Sequence, residues 1–241
     1  MADEKIFTEH LKRRVAVVTG GCGGIGQAIC RRFTNEGAQV IAADVAPMPE
    51  ALQASVYYFY HDVTSEQSAQ DLMAFVVQKF GHLDVLVNAA GIEIEKTIEE
   101  TSLDEWQRIF AINVTGTFLT SKYGVPLMRK KGAGSIINFG SYDGFIADPE
   151  LSAYCATKGA IHKLSRDLRM ELQGTGVRVT EINPGRVISE FYNVAIDDDE
   201  KLRQTVETNC EDLIADDIAD AIVYCVGAPW RVNVSQMEIL P

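Results

Sequence analysis

The feature that most constrains the fold is a regular alternation of short apolar runs with longer helical patterns. The runs are rich in β-branched residues, and several are apolar throughout, as is typical of strands buried on both faces of a parallel sheet. The predicted strands cover residues 15–19, 39–43, 56–60, 85–88, 135–139 and 178–182, with a short last strand near 237–240. The predicted helices cover residues 25–35, 65–80, 103–127, 151–172 and 214–225.

This order of elements indicates an α/β fold. Strands that alternate with helices form right-handed crossovers and place helices on both faces of the sheet. The 241 residues suit one domain and contain no linker or repeat. We therefore predict a single-domain, Rossmann-type, doubly wound parallel sheet over residues 1–241. The polar stretch 189–209 is a candidate substrate lid.

Composition excludes several classes of protein. The formal charge of −12 repels phosphate backbones and anionic surfaces, so we expect no nucleic-acid partner. We find no run of 18 apolar residues and no apolar leader in residues 1–14, so we expect neither a membrane span nor secretion. The five cysteines lack Cys-x-x-Cys spacing and the four histidines are scattered. The sequence therefore predicts a reduced, cytoplasmic protein without a metal site.

A glycine-rich turn, residues 19–26, joins the first predicted strand to the first helix. Glycines such as Gly20 and Gly24 allow positive φ and a close backbone approach to a ligand. Free N–H groups at the helix start, near Cys22, Gly24 and Ile25, would face an anion. The strand–turn–helix context makes this a predicted dinucleotide phosphate site, although an ordinary glycine-rich turn is the alternative.

Asp44 ends the second strand, 18 residues after Gly26. A carboxylate at this point accepts hydrogen bonds from the adenosine ribose and repels a 2′-phosphate. Val45 and Ala46 follow Asp44, so neither of the next two residues supplies a cation that could pair with a 2′-phosphate. We therefore predict NAD rather than NADP as the cofactor; the alternative is that Asp44 only caps a turn.

Tyr154 and Lys158 stand four residues apart on a predicted helix and share one face. A free phenol has a pKa near ~10, and a nearby ammonium lowers it. Ser141 follows the fifth strand, at the sheet edge where ligands bind in such folds. Its hydroxyl could bind a substrate oxygen beside the tyrosine. The alternative for Ser141 is a turn serine that caps its own backbone.

Together these residues resemble the short-chain dehydrogenase/reductase superfamily over nearly the whole chain. Seven ordered segments carry the resemblance: Thr19-Gly20 with Gly24-Ile25-Gly26, Asp62-Val63, Asn88-Ala89-Ala90-Gly91, Asn113-Val114, Ser141, Tyr154 with Lys158, and Pro184-Gly185.

The resemblance implies a role for each of four catalytic residues. Tyr154 would be the general acid/base, and Lys158 would bind the nicotinamide ribose and lower the tyrosine pKa. Ser141 would hold the substrate oxygen. Asn113 would keep a helix distortion and a bound water that relays protons.

The resemblance also implies a cofactor-binding set. Asp62 and Val63 would contact the adenine, and the segment 88–91 would form the cofactor floor. The implied set as a whole is Gly20, Cys22, Gly24, Ile25, Asp44, Asp62, Val63, Asn88, Ala90, Gly91, Tyr154, Lys158, Pro184, Gly185, Val187 and Ser189. Two departures are noted: Ser189 replaces the usual threonine, and the segment 45–55 is short for a crossover helix. The resemblance further implies a homodimer or homotetramer through the long helices.

The expected function is hydride transfer between NAD(H) and a secondary alcohol or ketone of a small, polar substrate. Polar residues such as Glu93, Asp143 and Arg186 follow the site segments, and Arg186 could hold a carboxylate. Three alternatives remain open: an NADPH-dependent carbonyl reductase, a non-catalytic dinucleotide-sensing regulatory protein, and a dehydratase or epimerase on the same scaffold.

Overall fold

The computed structural model describes residues 11–188 and 212–241. Its centre is a seven-stranded, wholly parallel sheet in the order β3-β2-β1-β4-β5-β6-β9. The strands are β1 (Val15–Thr19), β2 (Gln39–Asp44), β3 (Tyr57–Tyr60), β4 (Val85–Asn88), β5 (Gly134–Phe139), β6 (Val177–Pro184), β7 (Val187–Ile188), β8 (Leu213–Ile214) and β9 (Gln236–Ile239). Strands β7 and β8 form a separate parallel pair.

Six α-helices are described: α1 (Gly24–Asn35), α2 (Glu66–Phe80), α3 (Leu103–Phe110), α4 (Gly116–Lys131), α5 (Ser152–Glu171) and α6 (Ala215–Gly227). Local signals set several of their ends. The Ser65 side chain caps α2, and left-handed Gly81 ends it. Ser102 and Glu105 form a reciprocal capping box at the start of α3.

The sheet buries side chains on both faces, which confirms the doubly wound α/β prediction. Along β1, Ala16 and Val18 pack in a cluster with α1 and α6, whereas Val15 and Val17 pack in a cluster with α2 and α4. Alternating directions of successive side chains produce this division. The four apolar residues Val15, Ala16, Val17 and Val18 therefore serve both faces of the sheet.

The predicted helix 103–127 differs from the structure. It is divided by a π-helical turn, Ala111–Thr115, and its last part continues to Lys131. The wider turn places the buried Asn113 side chain against the backbone of Ile92, a contact that helical periodicity does not reveal. The short segment after β2 holds a single 3₁₀ turn, Glu50–Leu52, in agreement with its two prolines.

No helix within residues 11–188 and 212–241 is long and apolar enough to cross a membrane. The predicted lid, 189–209, lies outside the described residues, so its fold stays a prediction.

Candidate active site

A cleft of about 1140 Å³ opens at the carboxyl ends of the parallel strands. It lies where the strand order reverses between β1 and β4, which is where ligands bind in open α/β sheets. Most of the sequence-predicted site residues line it: Gly20, Cys22, Gly24, Ile25, Asp44, Asp62, Val63, Ala90, Gly91, Ser141, Tyr154, Lys158, Pro184, Gly185 and Val187. Asn88 and Asn113 are buried behind its wall. Ser189 is outside the described residues.

The turn between β1 and α1 forms one end of the cleft. Gly20 has φ +66°, a conformation that glycine adopts without strain. A Cβ at Gly26 would lie 2.0 Å from the Gly20 carbonyl oxygen, so the tight turn itself excludes a side chain. The first turn of α1 has neither a capping side chain nor an acidic residue. Its free N–H groups therefore suit the phosphates of a dinucleotide.

Asp44 is fixed at the end of the cleft where the sequence predicts the adenosine, which we call the adenosine end. One carboxylate oxygen accepts the Cys22 N–H at 2.9 Å, and the other accepts the Ala46 N–H at 2.9 Å. Each oxygen keeps a lone pair for another donor, such as a ribose hydroxyl. Burial, helped by the charge of Asp44, raises the pKa of the Cys22 thiol to about 11, so this turn residue is neutral. The carboxylate therefore carries the charge at this point.

Tyr154 and Lys158 lie together at the other end, on the buried face of α5. They are 7% and 8% exposed, and the Lys158 Nζ is 5.3 Å from the centre of the Tyr154 ring. Nζ donates a hydrogen bond of 2.9 Å to the Phe139 carbonyl. Burial lowers the pKa of Lys158 to about 8, against the opposing influence of nearby carboxylates. The arrangement brings an ammonium close to a phenol, as the chemistry of proton transfer requires.

Ser141 lies in the cleft wall after β5 and is 5% exposed. Its hydroxyl donates to the Asp143 carboxylate at 2.9 Å and accepts the Asp143 N–H at 3.2 Å. The serine therefore caps the short 3₁₀ turn Tyr142–Gly144, as the alternative interpretation expects. To bind a substrate oxygen, the hydroxyl must turn away from the carboxylate of Asp143.

Asn113, in the π-helical turn, forms hydrogen bonds with two other parts of the chain, the segment after β4 and helix α5. Its side chain accepts the Ile92 N–H and donates to the Ile92 carbonyl, both at 2.9 Å. It also donates to the Thr157 hydroxyl on α5 at 3.1 Å. These bonds hold the segment after Gly91 against the helix that carries Tyr154.

Asn88 belongs to a buried polar chain that crosses the sheet. Its amide donates to Asn138 and Ser121, and its carbonyl oxygen accepts from Thr120. Asn138 continues the chain to Ser165 on α5. Asn88 thus supports the end of β4 from behind the cleft. Sequence reasoning missed Asn138, whose signal was a polar residue directly after the apolar Ile136 and Ile137 in a buried strand.

The opposite end of the cleft, where the sequence predicts the substrate and which we call the substrate end, is rich in carboxylates. Glu93, Glu95, Asp143 and Asp148 all line it. Burial, with the charges of Asp143 and Glu95, raises the pKa of Glu93 to about 7. Arg186, the sequence candidate for a carboxylate partner, is already paired with Asp212 at 3.2 Å. The acidic side chains that line the cleft therefore outnumber its cations Arg108 and Lys158, and the guanidinium of Arg186 is compensated by Asp212.

Comparison with known proteins decides the family. Residues 14–201 match the family model described as short chain dehydrogenase. The chain is a short-chain dehydrogenase. It is accordingly an oxidoreductase of a family that binds a nicotinamide dinucleotide.

The sequence of this short-chain dehydrogenase is similar to those of related proteins along nearly its full length. An uncharacterized oxidoreductase of Staphylococcus aureus strain MRSA252 is 34% identical over 242 residues, with 96% of this chain and 98% of the relative covered. One from Staphylococcus epidermidis strain ATCC 12228 is 33% identical over 236 residues, with 96% and 98% covered.

Two solved structures share the fold with a TM-score of 0.87. One is the closed form of a serine dehydrogenase complexed with NADP+, which is 30% identical and covers 94% of each chain. The other is the ligand-free aldohexose dehydrogenase of Thermoplasma acidophilum, which is 25% identical, with 97% of this chain and 94% of that chain covered.

Proposed function

We propose that this short-chain dehydrogenase transfers a hydride between NAD(H) and a secondary alcohol or ketone of a small polar molecule. The observation that carries the proposal is the buried placement of Tyr154 and Lys158 at the end of the cleft opposite Asp44. A dinucleotide-binding regulator without turnover has no need for a phenol held beside an ammonium in this way. The geometry therefore favours the enzyme over the regulatory protein.

Each of the four residues then has a task in alcohol oxidation. The Tyr154 phenolate oxygen takes the alcohol proton, and the ammonium of Lys158 stabilises that phenolate. The Ser141 hydroxyl, released from Asp143, donates to the substrate oxygen. Asn113 keeps the π-helical turn fixed against α5. A bound nicotinamide supplies the hydride acceptor in oxidation and the donor in reduction.

Asp44 supports NAD as the cofactor. Its carboxylate is fixed by two backbone N–H groups, and neither the turn 20–26 nor the residues 45–46 supply a cation for a 2′-phosphate. An NADPH-dependent carbonyl reductase is the second candidate, because the similar serine dehydrogenase was solved with NADP+. The ratio of kcat/KM for the two cofactors separates these candidates.

The carboxylates at the substrate end support a neutral or cationic polar alcohol. Four of them line the cleft, and Arg186 is paired with Asp212, so a substrate carboxylate meets a repulsive field. Of the two structural neighbours, the aldohexose dehydrogenase takes a neutral hydroxylated compound as its name states, whereas the serine of the serine dehydrogenase carries a carboxylate beside its amino group. We further propose that the protein is cytoplasmic, has a single domain and forms a homodimer or homotetramer. Ser189 contacts the cofactor in this proposal.

The test is a substrate screen read by the absorbance of NADH. Polyols, aldoses, amino alcohols and hydroxy acids are offered with NAD or NADP to the full chain. We expect NADH to accumulate with a neutral or amino alcohol. Cofactor binding without turnover across the panel would favour the regulatory protein, and substrate conversion without net NADH would favour a dehydratase or epimerase.

A further inference from the structure

We propose that Asp143 is a specificity-determining residue, whose carboxylate holds the Ser141 hydroxyl until a substrate ammonium group takes over that carboxylate. The substrate class that fits is an amino alcohol with its amine on the carbon next to the carbinol. This inference rests on the proposed function, which it narrows from small polar alcohols in general to vicinal amino alcohols.

The contact between Asp143 and Ser141 lies in the wall of the cleft. The Ser141 hydroxyl donates to Oδ2 of Asp143 at 2.9 Å and accepts the Asp143 N–H at 3.2 Å. Within residues 11–188 and 212–241, this hydroxyl has no other hydrogen-bond partner. Both residues line the cleft together with Tyr154 and Lys158. The proton that Ser141 has to offer a substrate oxygen is therefore already bonded to a carboxylate.

The 3₁₀ turn that carries Asp143 is held in place by its own backbone and by α5. The Gly144 N–H donates to the Ser141 carbonyl at 3.1 Å. A Cβ built at Gly144 would lie 3.3 Å from the carbonyl carbon and oxygen of Lys158, so the turn packs closely on the helix. The carboxylate is thus positioned beside Ser141 before any ligand binds.

A neutral alcohol has to compete with Asp143 for the Ser141 proton. A hydrogen bond to a carboxylate is roughly twice as strong as one between neutral groups, so the alcohol oxygen is the weaker acceptor. An ammonium group instead forms an ion pair with the carboxylate and replaces the hydroxyl as its donor. A substrate with a suitably placed ammonium therefore releases the serine hydroxyl that its own oxygen needs.

The distance between the two protein oxygens sets the position of the amine. A carbinol oxygen on Ser141 Oγ and an ammonium on Asp143 Oδ2 each lie about 2.8 Å from their partner. Because Oγ and Oδ2 are 2.9 Å apart, ligand atoms held side by side on them are about 3 Å apart. Nitrogen and oxygen on adjacent carbons have about this separation in a gauche conformation. The geometry therefore favours a vicinal amino alcohol.

The charges around Asp143 also favour a cation at this point. Burial is the main cause that raises the pKa of Glu93 to about 7, and the negative charge of Asp143 is the next. Among the residues that the structure describes, no lysine, arginine or histidine forms an ion pair with Asp143. A substrate ammonium would thus meet a carboxylate bonded to a neutral hydroxyl rather than to a cation.

The binding test compares 1-amino-2-propanol with 2-butanol, which has the same number of non-hydrogen atoms and lacks the ammonium group. Dissociation constants are measured by ligand-observed NMR on the full chain with the reduced cofactor, which cannot oxidise an alcohol. In the wild type we expect the amine to bind roughly 10–100-fold more tightly. Asp143→Asn keeps the shape and removes the charge, so it should weaken binding of the amine and strengthen binding of 2-butanol.

The opposite signs of these two changes distinguish the proposed role from a structural one. Equal losses for both ligands in folded Asp143→Asn, or equal affinities of the wild type for the two ligands, overturn the proposal. The comparison variant is Asp148→Asn, which removes an exposed carboxylate of the same cleft that is not bonded to Ser141. It should not strengthen binding of 2-butanol, and a gain equal to that of Asp143→Asn would contradict the proposal.

Ser141→Ala tests the proposal even if Asp143→Asn does not fold. This variant removes the hydroxyl and keeps the carboxylate, so the preference for 1-amino-2-propanol over 2-butanol should persist. Loss of that preference in folded Ser141→Ala would mean that the carboxylate does not bind the ammonium.

Kinetics separate this proposal from the proposed function. The values of kcat/KM for the two alcohols should change in Asp143→Asn with the same opposite signs as the affinities. Oxidation of both alcohols by the wild type without preference for the amine would retain the proposed function and overturn the role of Asp143. Tight, Asp143-dependent binding of the amine without any NADH or NADPH formation would support that role and contradict the proposed function.

Discussion

The two ends of the cleft are built in different ways. The adenosine end consists of backbone N–H groups, glycines and one carboxylate, Asp44, which is fixed by two neighbouring amides. The substrate end includes the buried Lys158 and the half-buried Glu93, whose pKa values are moved to about 8 and about 7 mainly by burial. The first end depends on local chain geometry, and the second depends on charges that distant elements bring together. Mutations should therefore act differently at the two ends.

The largest expected effect is at the substrate end. Tyr154→Phe removes the proton acceptor but keeps the ring, so kcat should fall by roughly 10²–10⁴-fold or more. Cofactor affinity, measured by fluorescence titration, should stay within a few-fold of wild type. The control Tyr224→Phe alters an exposed tyrosine on α6 and should change neither value. Full activity in Tyr154→Phe would remove the proposed chemistry from this end.

The next effect concerns cofactor choice at the adenosine end. Asp44→Ser combined with Val45→Arg removes the carboxylate and offers a cation to a 2′-phosphate. The ratio of kcat/KM for NADP over NAD should rise by roughly 10–100-fold, the equivalent of one charge-assisted hydrogen bond of about 1.5–3 kcal/mol. Val45→Arg alone is the matched control and should give a smaller rise. A wild-type preference for NADP would contradict the assignment of Asp44.

A third prediction separates packing from ligand binding in the glycine-rich turn. Gly26→Ala forces a Cβ to within 2.0 Å of the Gly20 carbonyl oxygen, so unfolding of the cofactor-free protein should become easier by roughly 1–3 kcal/mol. Gly23→Ala meets its nearest neighbour, the same oxygen, at 3.5 Å and should leave stability nearly unchanged. Denaturation in urea measures both. Equal stabilities of the Gly26→Ala and Gly23→Ala variants would show that the turn relaxes around the added methyl group. The glycines would then be required only for ligand binding.

The smallest expected effect is on the pH dependence of stability. The pKa of Glu93 is raised to about 7 in the folded state, above its ordinary value of 4.5, so the unfolded chain ionises first as pH rises. The contribution of Glu93 to the free energy of unfolding therefore decreases as pH increases from about 4.5 to about 7. Glu93→Gln removes this pH-dependent decrease in the free energy of unfolding, because glutamine does not ionise.

The free energy of unfolding of Glu93→Gln relative to wild type should thus rise between pH 4.5 and pH 8 and level off above the folded pKa. Urea denaturation at several pH values measures this difference. The exposed Glu99 belongs to the same segment, so Glu99→Gln serves as the control. A flat difference for Glu93→Gln would mean that the carboxyl is hydrated in the folded protein.

Local patterns predicted most of the fold and of the adenosine end. The strand β1 and the turn after it follow directly from apolar runs and glycine spacing, because these depend on neighbours in the sequence. Helical periodicity did not predict the division of the helix at Ala111–Thr115, which the family resemblance had implied at Asn113, because it accompanies the contact of Asn113 with Ile92, 21 residues away. Asn138 was likewise missed, since a polar residue in a buried strand does not reveal its partner.

The sequence by itself determined the order of strands and helices, the glycine turn and the types of residue available for chemistry. Only the tertiary structure decided that Arg186 is paired with Asp212, that Ser141 is bonded to Asp143, and that Glu93 and Asp143 line the same cleft as Lys158. The physical reason is the distance along the chain over which each kind of interaction acts. Backbone geometry and hydrophobic periodicity act over a few residues, whereas burial and charge depend on every element that packs around a group.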